Sequence, residues 1–116
     1  MEFVSTRGSV PVSLDQALVN GIAGDGGLYV PVELPHFSVD DFAAADSLGA
    51  IAGVLLAPFF AGSELKDELA DILSETFSFP VPVSDLTGEA GEAKLLELYH
   101  GPTAAFKDVG AGFLAA

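Results

Sequence analysis

The 116 residues fit one domain with a buried core and leave no room for two. They include 17 acidic residues against four basic ones, which gives a net charge of −13. Nucleic acids and anionic membranes need clustered lysine and arginine, and no such cluster exists here, so we expect neither as a partner. No cysteine is present, which excludes disulfides and thiolate metal ligands.

The composition is also unusually apolar. Half of the residues are hydrophobic and the mean hydropathy is +0.49, which fits either membrane association or a soluble fragment whose absent partner covers apolar surface. Residues 47–63 carry no charge, but glycine and proline interrupt them. Their larger apolar residues recur at helical spacing, which favours a soluble helix packed on a core: Leu48, Ile51, Leu55, Leu56 and Phe59. With no signal peptide visible, we expect a cytoplasmic protein.

The N-terminal part alternates short strands with a helix. Residues 3–6 predict a strand, and Ser13 opens a helix that Asn20 and Gly21 end. A glycine-rich turn at residues 24–27 precedes a strand at residues 28–30, which Pro31 terminates. The inner face of the helix is predicted to consist of Leu14, Ala17 and Leu18.

Three helices are predicted in the middle of the chain. Ser38 and Asp41 have capping-box spacing and start a short helix that extends to Ala45. The apolar helix follows and is expected to end near Pro58. Ser63 is expected to cap the clearest amphipathic helix, whose buried stripe consists of Leu65, Leu69, Ile72 and Leu73.

The C-terminal part predicts an extended segment at residues 79–83, a polar loop at 87–92, a strand at 94–99 and a turn at 100–103. Helical character begins near Ala105 and continues to the last residue without a cap, as in a chain cut within a helix. We therefore predict an α/β fold, a small mixed α/β domain of short strands and packed helices that is truncated near its C-terminal end.

Lys107 is the basic residue with an unusual setting. It follows Ala104, Ala105 and Phe106 at the junction of a loop and a helix. A lysine among small apolar neighbours can be desolvated and become nucleophilic. The more common alternative is a lysine that reaches the surface and pairs with a carboxylate, and these physical features alone favour that alternative.

Four segments resemble the threonine synthase family. Residues 100–108 read His-Gly-Pro-Thr-Ala-Ala-Phe-Lys-Asp, which is similar to that family's cofactor-lysine signature. Residues 5–8, 25–31 and 56–60 resemble three further family segments and occur in the family's order. A nine-residue match around one lysine is a specific signal.

The resemblance implies a pyridoxal-phosphate (PLP) lyase that converts O-phosphohomoserine and water to threonine and phosphate. Lys107 would then be both the catalytic and the cofactor-binding lysine, with His100 and Thr103 as weaker candidates for substrate binding. Asp108 is expected to cap the first turn of the following helix. Residues 1–93 would form the family's N-terminal domain, and residues 94–116 the start of its PLP-binding domain.

Other candidate sites are weaker. The acidic pairs Asp40/Asp41 and Glu89/Glu92 and the isolated His36 lack metal-ligand spacing, so no metal is expected. The groups that bind the phosphate of PLP are expected in the remainder of the polypeptide, so that this chain alone would be inactive and would self-associate weakly through apolar surface. The alternatives are a non-catalytic acidic interaction module and another PLP-dependent amino-acid enzyme.

Overall fold

The computed structural model describes residues 1–8, 10–86 and 93–116. The chain forms two compact units, Met1–Ala70 and Asp71–Ala116. Helices and short antiparallel sheets occur together, which confirms the predicted mixed α/β fold. In the described ranges, no helix combines the length and the apolar character that crossing a membrane requires. The predicted domain boundary between residues 93 and 94 stays a prediction.

The first unit contains a three-stranded antiparallel sheet in the order β2-β1-β3. Its strands are β1 (Glu2–Ser5), β2 (Val12–Ser13) and β3 (Tyr29–Pro31). Because side chains alternate along a strand, β1 buries Phe3 and Ser5 on one face. Both predicted strands are present, and β3 ends at Pro31 as predicted, with Pro31 as its last paired residue.

The loop before β3 is tied to the end of β1 through Asp25. Its carboxylate accepts hydrogen bonds from the Ser5 hydroxyl at 2.6 Å and from the Gly27 N–H at 2.9 Å. These bonds lower the pKa of Asp25, and the bond from Ser5 has the largest effect. The Arg7 guanidinium donates to the Asp25 carbonyl at 3.0 Å. Two of the segments that carry the family resemblance, residues 5–8 and 25–31, are therefore joined by hydrogen bonds.

Helix α1 (Leu14–Asn20) is capped as predicted. The Ser13 hydroxyl accepts from the Gln16 N–H at 3.2 Å, and Gly21 ends the helix with a φ of +67°, a conformation that favours glycine. The predicted inner face is only partly right, because Ala17 is buried while Leu18 is 44% exposed.

The apolar segment forms helix α2 (Leu48–Phe60) after a 3₁₀ helix at Val39–Phe42. The Ser38–Asp41 capping box is present, with the Ser38 N–H donating to Asp41 Oδ2 at 2.6 Å. Helix α2 ends at Phe60, close to the predicted end near Pro58, but Pro58 itself lies inside the last turn. A missing N–H so close to the end removes a single helical hydrogen bond, so the helix continues for two more residues.

The predicted buried stripe of α2 is also partly wrong. Ala52 and Phe60 are buried, whereas Leu48 and Leu55 are about 40% exposed, at 39% and 40%. The helix is apolar almost all round, so its sequence pattern does not select one face.

Helix α3 (Leu69–Thr76) begins six residues after the predicted cap at Ser63. The Ser63 hydroxyl instead donates to the Asp15 carboxylate and accepts from the Leu65 N–H at 3.1 Å, which closes a local turn. A tertiary hydrogen bond has therefore replaced the predicted cap. Leu69 and Leu73 are buried as predicted, while Leu65 lies before the helix and is 38% exposed.

The second unit contains an antiparallel pair, β4 (Val83–Leu86) and β5 (Ala93–Leu96), and helix α4 (Lys107–Ala115). Residues 79–82, which were predicted to be extended, form no regular strand. The polar loop predicted at 87–92, with Glu89 and Glu92, lies outside the described residues. Gly112 of α4 faces Thr76 of α3, since a Cβ at Gly112 would lie 3.8 Å from Thr76 Cγ2.

Candidate functional site

The segment that leads to Lys107 begins where β5 ends. The predicted strand at 94–99 stops at Leu96, which pairs with Val83. The Glu97 N–H still donates to the Pro82 carbonyl at 3.0 Å. Pro82 has no N–H to return, so the ladder cannot continue, and the chain turns away from the hairpin.

Glu97 gathers the polar side chains at this end of the hairpin. Its carboxylate accepts hydrogen bonds from the Ser84 hydroxyl, from His100 Nε2 at 2.6 Å, and from Tyr99. These bonds lower the pKa of Glu97 to about 2, and the bond from Ser84 has the largest effect. The bond to Glu97 raises the pKa of Tyr99. Because Glu97 is ionised at neutral pH, it accepts only, so the His100 Nε2 must carry the proton that it shares.

His100 is held on its other side by stacking. The ring centroids of Tyr99 and His100 lie 4.6 Å apart with an angle of 30° between the planes. The His100 side chain keeps about a third of its surface exposed, at 34%. Its orientation is therefore fixed while part of the ring stays accessible to a ligand.

A tight turn follows His100. The Ala104 N–H donates to the Gly101 carbonyl at 3.0 Å. Ala104 has a φ of +55°, a left-handed conformation that is unfavourable for a residue with a Cβ by about 1–2 kcal/mol. Such a conformation persists only where the surrounding structure holds it.

Asp108 binds this turn at Thr103, the residue before Ala104. Its side chain is buried, and its carboxylate accepts from the Thr103 N–H at 2.9 Å and from the Thr103 hydroxyl. The Thr103 hydroxyl is the main cause that lowers the pKa of Asp108, and the Lys107 charge adds to it. Asp108 lies in the first turn of α4, as expected, but its carboxylate binds backbone that precedes the helix.

Gly101 allows the turn to approach Asp108. A Cβ on Gly101 would lie 2.5 Å from Asp108 Oδ2 and 2.9 Å from its Cβ. Real Cβ atoms do not come so close to other atoms, so this position requires glycine for lack of space.

Lys107 is the first residue of α4, and its side chain is exposed. Within residues 1–8, 10–86 and 93–116, its amine forms no ion pair, whereas Lys94 pairs with Asp85 at 2.7 Å. The N-terminal end of a helix is unfavourable for a cation. The exposed side chain agrees with the surface lysine of the more common alternative and is not desolvated, whereas the paired carboxylate of that alternative is not found in the described ranges.

Three of the residues singled out by sequence, His100, Thr103 and Lys107, lie within one stretch of eight residues that belongs to the second unit. Sequence reasoning did not identify Glu97, which binds His100, or Ser84, which binds Glu97. The spacing of Glu97 and His100, three residues apart, was the available signal for the first. Nothing in the pattern indicates Ser84, because a cross-strand contact brings it to Glu97. His36 is exposed and lies in the first unit.

Comparison with known proteins defines the family. The model of the threonine synthase N terminus matches residues 2–77. The chain belongs to the threonine synthase family. The match covers the first sheet and helices α1 to α3. The family assignment predicted from the four sequence segments is thereby confirmed.

Curated relatives extend the similarity to the C-terminal segment. Threonine synthase of Pseudomonas aeruginosa is 40% identical over 113 residues, which is 93% of this chain and 24% of the relative. Threonine synthase of Escherichia coli is 39% identical over 108 residues, again 24% of the relative. Human threonine synthase-like 2 is 40% identical over 116 residues, with 94% of this chain and 24% of the relative covered. The chain thus spans about a quarter of the length of these relatives.

Solved structures agree with the sequence relatives. PLP-bound threonine synthase from Brucella melitensis matches with a TM-score of 0.84 and 36% identity, over 99% of this chain and 26% of that one. The Escherichia coli enzyme matches with a TM-score of 0.81 and 33% identity, over 99% and 27%. The fold is that of the N-terminal part of threonine synthase structures.

Proposed function

We propose that this chain is the N-terminal part of a PLP-dependent threonine synthase, with Lys107 as the lysine that binds the cofactor covalently. The observation that carries the proposal is the placement of Lys107 at the start of α4, exposed and without an ion pair in the described part of the chain. The reaction would be the conversion of O-phosphohomoserine and water to threonine and phosphate. The cytoplasmic location expected from the sequence belongs to the same proposal.

The residues around Lys107 suit a planar aldehyde. Its primary amine is accessible, and Ala104 and Ala105 before it are small enough to leave room for a flat ring. The turn that presents the amine is fixed by hydrogen bonds from Thr103 to Asp108. The chemistry of the attachment point therefore fits PLP.

The phosphate of PLP has no such match among the residues that the structure describes. Only four basic residues are present, and two of them are engaged: Arg7 bonds the Asp25 carbonyl and Lys94 pairs with Asp85. A net charge of −13 further disfavours a phosphate site. We propose that the phosphate-binding groups belong to the remainder of the polypeptide and that this chain alone is inactive.

PLP, when bound, withdraws electrons from the carbons of the amino acid that it carries. The chain's own contribution would be to hold and move protons. With the cofactor and substrate bound, the Lys107 Nζ would be placed to accept a proton from one substrate carbon and return it to another. His100, fixed by Glu97 and Tyr99, can orient a substrate group through the exposed part of its ring. The hydroxyl oxygen of Thr103 keeps a lone pair for the same purpose.

The decisive experiment traps the cofactor on the full-length protein. Borohydride reduction followed by peptide mapping should place the cofactor on Lys107. The Lys107→Ala variant should lose both the trapped cofactor and the formation of threonine and phosphate from O-phosphohomoserine. Lys94→Ala is the matched control, since Lys94 is also exposed but pairs with Asp85 on the hairpin. A trapped cofactor on a different lysine would contradict the proposal.

A second experiment addresses the chain alone. The 116-residue chain incubated with PLP should develop no absorbance band that depends on Lys107. A stable band that disappears in Lys107→Ala would show that the phosphate is held within these residues, against the proposal of inactivity.

A second candidate function is favoured by one comparison. The 40% identity to human threonine synthase-like 2 leaves open another PLP-dependent amino-acid enzyme of the same superfamily. Full-length protein that traps PLP on Lys107 but forms no threonine from O-phosphohomoserine would favour this candidate. Full-length protein that traps no PLP at all would instead favour a non-catalytic acidic interaction module.

A further inference from the structure

Asp108 is buried directly beside the exposed Lys107, with 7% of its surface accessible. Its backbone N–H donates to the Ala105 carbonyl at 3.0 Å, and its carboxylate binds Thr103 at two points. Buried carboxylates are uncommon unless several hydrogen bonds compensate their loss of water. In this case the bonds all lead to the turn that precedes Lys107.

We infer that Asp108 is a positioning residue which, by binding Thr103 at two points and packing against Gly101, fixes the direction in which the Lys107 side chain leaves α4. This inference rests on the proposed function of Lys107. A hydrogen bond to the Thr103 N–H fixes the position of the turn, and the bond to its hydroxyl adds a second point that restricts rotation.

The strained residue in the turn explains why such a hold is needed. Ala104, with its φ of +55°, lies between Thr103 and Lys107. Without the carboxylate, the turn would relax toward an ordinary conformation, and the first turn of α4 would move with it. Displacement of a reacting group by about 1 Å can reduce a rate by about 100-fold.

The same bonds assign a role to Thr103. Its hydroxyl proton is donated to Asp108, so that proton is not available to a substrate. Thr103 therefore acts first as the link between the turn and Asp108. A serine keeps the hydroxyl at this position, whereas a valine has nearly the same shape but no donor.

The test uses the full-length enzyme loaded with PLP and four variants: Asp108→Asn, Thr103→Val, Thr103→Ser and Asp71→Asn. Asp71 is the matched control because it also lies in the first turn of a helix but is exposed. The readouts are kcat and KM for the synthase reaction and the fraction of cofactor trapped on Lys107 by borohydride.

Asp108→Asn and Thr103→Val should each lower kcat by about 10- to 100-fold with KM changed by less than about threefold, and should lower the trapped fraction. Thr103→Ser should restore kcat to within about threefold of the unmodified enzyme. A fifth variant that combines Asp108→Asn with Thr103→Val should be little worse than either single variant, since both substitutions remove the same link. Asp71→Asn should leave all readouts unchanged.

Two outcomes would overturn the inference while the proposed function stands. One is an unchanged kcat in Thr103→Val. Because valine has nearly the same shape as threonine, this variant tests the inference even if Asp108→Asn fails to fold. The other is a loss of stability without any change in kcat or trapping. Cofactor trapped away from Lys107 in the unmodified enzyme would instead overturn the proposed function and this inference together.

Discussion

The Glu97 carboxylate accepts a hydrogen bond from His100 Nε2 at 2.6 Å and a second one from the Ser84 hydroxyl on the neighbouring strand. His100 is thereby linked to both strands of the second unit before the chain enters the turn toward Lys107. A histidine whose ring is fixed from one side by a carboxylate and from the other by Tyr99 can present only one edge to a ligand.

This relationship predicts an acid-sensitive element. Glu97 has a folded-state pKa of about 2 against an ordinary value of 4.5, so its contribution to stability is fully present above pH 4.5 and is lost as the pH falls toward 2. Glu97→Gln should therefore lose less stability than the unmodified protein between about pH 5, above the range of this loss, and about pH 3, within it. Urea unfolding at both values measures the difference.

The control for this prediction is Glu75→Gln, since Glu75 is an exposed glutamate on α3. It should leave the acid dependence unchanged. Equal loss of stability in Glu97→Gln and in the unmodified protein would refute the assignment of this acid sensitivity to Glu97.

The close approach of Gly101 to Asp108 predicts that Gly101→Ala destabilises the protein by about 1–3 kcal/mol, because the added Cβ would lie 2.5 Å from Asp108 Oδ2. Gly110→Ala is the matched control: it lies within α4 with no atom within 4 Å of the added Cβ. That control should stabilise the helix by about 0.5–1 kcal/mol. Chemical denaturation would test both, and a neutral Gly101→Ala would contradict the described packing.

The hydrogen bond from Ser63 to Asp15 predicts a measurable coupling within the first unit. Ser63→Ala should lower the free energy of unfolding by about 1–2 kcal/mol, and by clearly less in an Asp15→Ala background. Ser74→Ala, at an exposed position of α3, should change it by less than about 0.5 kcal/mol. Strict additivity of the two substitutions would show that the bond does not form in solution.

The apolar residues of the C-terminal part predict weak self-association of the isolated chain. Several are strongly exposed in the described structure: Leu95 at 41%, Leu96 at 53%, Tyr99 at 52%, Phe106 at 73% and Leu114 at 78%. Sedimentation at high concentration should detect association that Leu114→Ser weakens. Val19→Ser, at an 84% exposed position of α1, is the comparison and should have less effect. A strictly monomeric profile would count against the prediction.

The sequence predicted those elements whose signals are local. Ser13 and Gly21 delimit α1 because a side-chain cap and a left-handed glycine act within one turn of backbone. It also placed the buried Leu69 and Leu73 on one face of α3, since polar residues occupy the other face. The sequence prediction was wrong for the start of α3, because the predicted cap, Ser63, donates its hydroxyl proton to Asp15, 48 residues earlier in the chain.

The sequence by itself determined the family, the identity of Lys107 as the candidate lysine, and the approximate positions of β1, α1, β3 and α2. Those features follow from residue types at short spacings, which a chain shows before it folds. Only the tertiary structure decided that Asp108 is buried against Gly101 and that Ser84 reaches Glu97. Both contacts depend on segments meeting in space, and hydrogen bonds of that kind form only after packing has brought their donors and acceptors together.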